Sequence, residues 1–194
     1  MKNLLLIILS LSFIICCIPP QVRIDKKPDG IFTDYYENGQ KKEETLYKDG
    51  KRNGSGIRWF PNGQIAQKGN FLNDMQDGFW ETYTPEGIVI QQGEYKMGVE
   101  EGKHILWYKS GNKKQEVIFE GGKLHGAITE WYESGQKYKE KTMINGKEDG
   151  LYKTWYQNGN KKTEGYLKNG EPIKLIYYNE DGSVKETRVH NTKP

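Results

Sequence analysis

Trp155–Gly170 reads WYQNGNKKTEGYLKNG. Its two Asn-Gly dipeptides, Asn158-Gly159 and Asn169-Gly170, lie eleven residues apart. Asn-Gly favours tight turns because both residues tolerate positive φ. The runs between such turns have strand length, and none shows a sustained helical period. The phrase therefore predicts strand, turn, strand, turn. Shifted back by 24 residues the chain reads WYESGQKYKEKTMING, and by 24 more WYKSGNKKQEVIFEGG.

The period holds along most of the chain. A glycine recurs at Gly30, Gly54, Gly78, Gly102, Gly126 and Gly150, in steps of 24. Five residues after each stands an aromatic: Tyr35, Trp59, Tyr83, Trp107, Trp131, Trp155. A second aromatic usually follows, with Thr84 the exception. An apolar position comes later in each unit, occupied by Tyr47, Phe71, Tyr95, Phe119, Met143 and Leu167. Six full units run from 30 to 173 (30–53, 54–77, 78–101, 102–125, 126–149 and 150–173), and 174–194 reads as a partial capping unit and tail. The expected fold is all-β: one elongated antiparallel meander of roughly 12 to 14 strands, about 60 Å long at ~4.8 Å per strand. One hairpin cannot bury enough surface to stand alone, so stability has to come from stacked neighbours.

A two-residue turn at Asn158-Gly159 sets a definite register. Trp155 would face Lys162, Trp107 would face Lys114, and Tyr35 would face Lys42, with lysine stems over aromatic faces. In the same register Gly69, Gly93 and Gly165 fall opposite Gly56, Trp80 and Tyr152, which leaves room for a ring to lie across the neighbouring strand. A bulge would change these pairings.

Composition agrees with a thin, turn-rich β-structure. The 194 residues are 35% hydrophobic and 28% charged, a lean supply for a two-layered core, yet 23 glycines, 13 tyrosines and 5 tryptophans argue against disorder. The net charge is +3, with both signs interspersed. No basic block would track a phosphate backbone, so nucleic acid is not an expected partner.

The unit Gly-x4-aromatic-aromatic-x2-Gly, followed by an apolar position and another turn, resembles the MORN-variant repeat. The resemblance covers nearly all of the chain after residue 29. It implies the repeat fold, and through bacterial members it implies an antitoxin or immunity role in toxin systems.

The N-terminus, MKNLLLIILSLSFIICCIPPQ, has Lys2 followed by an apolar run from Leu4 to Ile15. The run is shorter than the roughly 20 residues a spanning helix needs and matches a secretory signal. With Cys16 and Cys17 after it, it resembles a bacterial lipoprotein signal, which implies a cut after residue 16 and lipidation of Cys17. The alternative is an uncleaved anchor with two free thiols. Residues 17–29, with Pro19, Pro20 and Pro28, then read as a linker, and the repeats would sit outside the cytoplasm on a membrane anchor. They contain no cysteine.

No motif points to catalysis, and no cofactor is expected. His104, His125 and His190 lack ligand spacing and read as surface or strand-face residues, so no metal is expected. No G-x-S-x-G is present. NDMQDG (73–78) and NEDGSVKE (179–186) lack the alternating carboxylates of a calcium loop. Glu44, Glu116, Glu140 and Glu164 share one repeat position and read as a cross-strand charge ladder.

The aromatic rows form a thin core, a binding surface, or both. Trp59, Trp107, Trp131 and Trp155 are the candidate partner-binding residues. The expected function is a non-enzymatic, lipid-anchored repeat protein that binds a macromolecular partner at the bacterial envelope: a protein such as a toxin, or an envelope polymer. Carbohydrate binding and a structural scaffold are the alternatives.

Overall fold

A computed structural model describes residues 27–190 of the chain. The signal segment, Cys17 and most of the linker lie outside the described residues. The described residues form one antiparallel sheet whose strands follow their order in sequence. The strands are β1 (Gly30–Tyr35), β2 (Lys41–Lys48), β3 (Lys51–Trp59), β4 (Ile65–Leu72), β5 (Met75–Tyr83), β6 (Val89–Lys96), β7 (Val99–Trp107), β8 (Lys113–Glu120), β9 (Lys123–Leu124), β10 (Gly126–Trp131), β11 (Lys137–Ile144), β12 (Lys147–Trp155), β13 (Lys161–Lys168), β14 (Glu171–Tyr178) and β15 (Val184–Val189). The short β9 and β10 together take the place of one long strand, interrupted at His125. The expected meander is thus observed, with 15 strands counted this way.

The two turns of each unit differ. At Asn169-Gly170 both residues have positive φ, 50° and 87°. This is the two-residue type I′ turn that Asn-Gly favours. At Asn158-Gly159 only the glycine has positive φ, 86°. Here the Gly159 amide donates to the Tyr156 carbonyl at 3.0 Å and the Tyr156 amide donates to Asn160 at 2.8 Å. That pattern is a longer turn closed by a glycine bulge. The expected register therefore holds up to Thr154↔Thr163, and the pairing then shifts so that Trp155 faces Lys161. The same correction puts Tyr35 opposite Lys41 and Trp107 opposite Lys113.

Further up the hairpins the register is as expected: Gly56↔Gly69, Trp80↔Gly93 and Tyr152↔Gly165. The rings above Gly69 and Gly93, however, come from the strand on the other side, and Gly165 meets Lys174 and Leu175 there instead. The Trp80 indole lies over Gly69 and the His104 imidazole over Gly93. Trp80 Nε1 donates to the Asn70 carbonyl at 3.0 Å, and His104 Nε2 is 2.8 Å from the Glu94 carbonyl. Each ring is thereby fixed to the backbone it covers.

These residues share one face, here called the inner face. The buried strand residues, among them Trp80, Val117, Ile128, Met143 and Leu167, all lie on it. Phe71 meets Trp80 edge-to-face at 4.9 Å, and His104 meets Tyr95 and Phe119 at 5.2 and 4.9 Å. Such contacts add to the burial of the rings. In the later units Val117, Ile128 and Met143 replace the aromatics as the core. Bulges recur twice in most units, for example between Lys68 and Asn70 and between Thr82 and Tyr83. They bend the strands and strengthen the local twist, which helps a single sheet bury one of its own faces.

Met97 departs from the turn pattern. It occupies, at φ 50°, the first type I′ position where other units use Asp49, Asn73, Gly121, Asn145 and Asn169. A methionine there is strained, and this one is also 50% exposed. Met97→Asn should raise stability by about 0.5–1 kcal/mol. An unchanged urea midpoint would contradict that assignment of strain.

Candidate interaction face

The opposite, outer face has no second layer against it among the described residues. Trp59, Trp107, Trp131 and Trp155 each end a strand at the same step of the repeat, with Tyr83 in line. All four tryptophans are half-buried. The rings do not form the buried core, which the inner-face rows supply. Lysines cover them in a way the sequence did not predict. Lys41, Lys113 and Lys137 lie over Trp59, Trp131 and Trp155, each in the following unit, at 5.5, 5.5 and 5.7 Å. Lys42, Lys114 and Lys162 instead cover Tyr36, Tyr108 and Tyr156 in their own hairpins. The turn bulge moves each lysine pair by one position, and this changes which ring each lysine meets.

The second aromatic of each turn ties one unit to the next. Tyr36, Tyr108 and Tyr132 donate their hydroxyls to the carbonyls of Trp59, Trp131 and Trp155 at 2.7–2.9 Å. Asn38 and Asn62 reach the next turn in the same way, donating to Pro61 and Pro85. The backbone under the aromatic row is thus held from unit to unit.

Beside the row runs the expected ladder of charges. Lys41 bonds Glu44 at 2.5 Å, Lys113 bonds Glu116 at 2.7 Å, Lys137 bonds Glu140 at 2.6 Å and Lys161 bonds Glu164 at 2.5 Å. Lys103 adds a second partner to Glu116 at 2.9 Å. The hydrogen bond from lysine holds Glu44, Glu116 and Glu164 below the usual carboxylate range. Burial pushes Glu81 up, but bonds from Lys68, Tyr83 and Gln92 outweigh it and hold Glu81 low as well. A lowered folded-state pKa gives stability that is present above the ordinary carboxylate value and is lost as pH falls through the folded value. The urea midpoint should therefore fall as pH drops below about 4.5, the ordinary glutamate value. Glu116→Gln should flatten that acid limb; an unaltered limb would show that the Glu116 pairs contribute nothing to it.

The middle of the array differs from its ends. Ile65 and Val89 stand where other units place Lys41, Lys113, Lys137 and Lys161. At Glu81 the charges are reversed across the strands, with Lys68 bonding it at 2.8 Å. Thr84 replaces the second aromatic, and its hydroxyl accepts from Glu86 and Ile88 within its own turn. A shallow depression of about 260 Å³ lies here, lined by Ser55, Ile57, Lys68, Asn70, Phe79 and Glu81. Phe79 is 49% exposed.

The histidines are not alike. His104 is 4% exposed and part of the inner-face core, not a surface residue. His125 lies at the break between β9 and β10, its Nδ1 3.5 Å from Glu120. His104 is the core residue that the sequence did not suggest, and Trp80 was expected only as the partner of Gly93. Their column reads Phe32, Gly56, Trp80, His104, Ile128, Tyr152, two residues after each repeat glycine. Every member but Gly56 is large while identity is not kept, and the Phe71 ring fills the space at Gly56. Among the described residues, no group of three or more His, Cys, Asp or Glu is placed to hold a metal ion. No helix of the described residues is long and apolar enough to cross a membrane.

The family model described as MORN repeat variant matches residues 28–49, 52–73, 124–145 and 148–169. Successive matches begin 24 residues, or a multiple of 24, apart, in phase with the hairpins. The intervening stretch holds Trp80, Thr84, Val89 and His104, where the chain departs from its own phrase while the sheet continues unbroken. No curated protein matches the chain.

Proposed function

We propose that this is a non-enzymatic repeat protein, anchored through a lipid on Cys17, that binds a macromolecular partner at the bacterial envelope with its outer face. MORN repeats are known in binding and scaffold roles, and four segments of this chain match their variant form. The observation that carries the reading is the row of half-buried tryptophans on a sheet face with no covering layer among the described residues. Regular aromatics flanked by bonded charges suit contact with a partner, since aromatic side chains supply much of the energy at interfaces.

In its sharpest form the partner is a toxin and the mechanism is occlusion, with the sheet covering the toxin's active or binding surface. Resemblance to bacterial repeat proteins of toxin systems supports that form. An exported chain would meet a toxin only in the envelope or outside the cell; an envelope polymer is the other partner this reading allows.

Fatty-acid labelling with fractionation tests the anchor. The native chain should carry label in the membrane fraction, and Cys17→Ala should abolish it. A soluble, unlabelled, full-length chain would overturn the envelope assignment and make a cytoplasmic antitoxin the reading to pursue.

A further inference from the structure

Of the partners that the proposed envelope role allows, we infer that the outer-face row takes an extended, uncharged polysaccharide strand. The inference rests on that role and on the choice of the outer face.

Each unit contributes two strands, so successive rings of the row stand about 9.6 Å apart at ~4.8 Å per strand. That step is close to the length of a disaccharide in an extended, equatorially linked chain. Every second sugar of such a strand would meet Trp107, Trp131 and Trp155 in turn. The sheet sets this period, and the tyrosine bonds under Trp131 and Trp155 hold it. A folded protein surface repeats at this interval only if it is itself such an array; a linear polymer of two-sugar repeats does so along its whole length.

The charges beside the row select against charged polymers. The carboxylates of the ladder beside the rings are already bonded to lysines: Glu44, Glu81, Glu116, Glu140 and Glu164. An anionic polymer would have to compete with these carboxylates for the ammonium groups, and a cationic one would have to compete with the lysines. An uncharged strand competes for neither partner of a pair; it needs only that Lys113 and Lys137 swing off the faces of Trp131 and Trp155. It can stack polarised C–H groups on aromatic faces, which carry partial negative charge.

Ser55, Asn70 and Gln92 stand on the same face in the middle units, where the lysines over the rings give way to Ile65 and Val89. Hydroxyls and amides pair with sugar hydroxyls without a net charge. Trp107 is the tryptophan of the unit that follows Val89.

Successive subsites on one strand act together, so affinity should climb with ligand length. The test uses the full chain in neutral detergent, with chitin-type and cellulose-type oligosaccharides of two to eight sugars as probes. Insoluble chitin, cellulose and purified peptidoglycan serve for retention, and dextran as the differently linked control. Binding should strengthen with each added pair of sugars, survive molar salt and be absent with dextran. Trp107→Ala and Trp131→Ala should each weaken it by about tenfold or more. Trp131→Tyr, which keeps a ring, should retain most of it. Far-UV dichroism and urea midpoints of the variants separate lost contact from lost fold.

Binding that ignores length, disappears in salt or treats dextran alike would overturn the inference. Envelope fractions with and without protease treatment separate this failure from that of the proposed role. Tryptophan-dependent retention only by untreated envelopes would mean a protein partner, leaving the role standing and the polysaccharide rejected. Retention by neither envelopes nor polysaccharides would reject both.

Discussion

Trp80→Ala should lower the stability of the chain by about 3–5 kcal/mol, among the largest losses expected from one side chain. Trp80 is 5% exposed, meets Phe71 edge-to-face at 4.9 Å and donates to the Asn70 carbonyl at 3.0 Å. Its removal opens a cavity over Gly69 and leaves that carbonyl without its partner. The stronger test is the effect on Gly69. In the native background Gly69→Ala should destabilise by about 1–3 kcal/mol, because its methyl would run into the indole. In the Trp80→Ala background the same methyl enters vacated space, and Gly69 carries no positive φ. Gly69→Ala should then be neutral or mildly stabilising, since alanine loses less backbone entropy than glycine. Urea unfolding of the four proteins measures the cycle. Additive effects would mean that Gly69 and Trp80 do not act as a pair.

The pairing of glycine with ring was legible in the sequence; the strand that supplies the ring was not. The 24-residue period and its turns gave the meander, because strand and turn chemistry are local and the period repeats six times. The hairpin register over Gly69, Gly93 and Gly165 followed from counting across one turn. The ring above Gly69 depends on the next joint, between β4 and β5, where a bulge shifts the alignment between Lys68 and Asn70. Counting across a single hairpin says nothing about that joint.

The same physics governs the candidate face. Trp155 was expected opposite Lys162, and the glycine bulge at Gly159 moved it opposite Lys161. One residue of slip sends a lysine to a different ring, so Lys137 covers Trp155 while Lys162 covers Tyr156. The repeated tryptophans drew attention as core or contact because their identity is fixed. The core column was legible only in part, as Gly56, Trp80 and Tyr152 opposite glycines, because it holds Phe, Gly, Trp, His, Ile and Tyr in succession. Packing constrains the volume filled more than the chemistry that fills it, and at Gly56 the Phe71 ring of the next strand keeps the column continuous.

Gly165→Ala should detach the C-terminal hairpin at a cost of about 2–4 kcal/mol, and no partner substitution should rescue it. Here the obstacle is backbone. A methyl on Gly165 would collide with the Lys174 carbonyl oxygen of the adjacent strand, as well as approaching Leu175 Cδ2 at 2.9 Å. Leu175→Ala removes only the second contact, so the double variant should stay as destabilised as the singles combined, unlike Gly69 with Trp80. Relief requires β14 to move away from β13, breaking the pairing from Thr163↔Tyr177 to Tyr166↔Lys174. Each unit of such an array is held mainly by its neighbours, so the loss should stay local. Amide exchange should accelerate in β14 and β15 while β3 to β8 keep their protection. Rescue by Leu175→Ala would show instead that the strands yield and that side-chain packing alone forbids the methyl. Uniform loss of protection would show that the array unfolds as one unit.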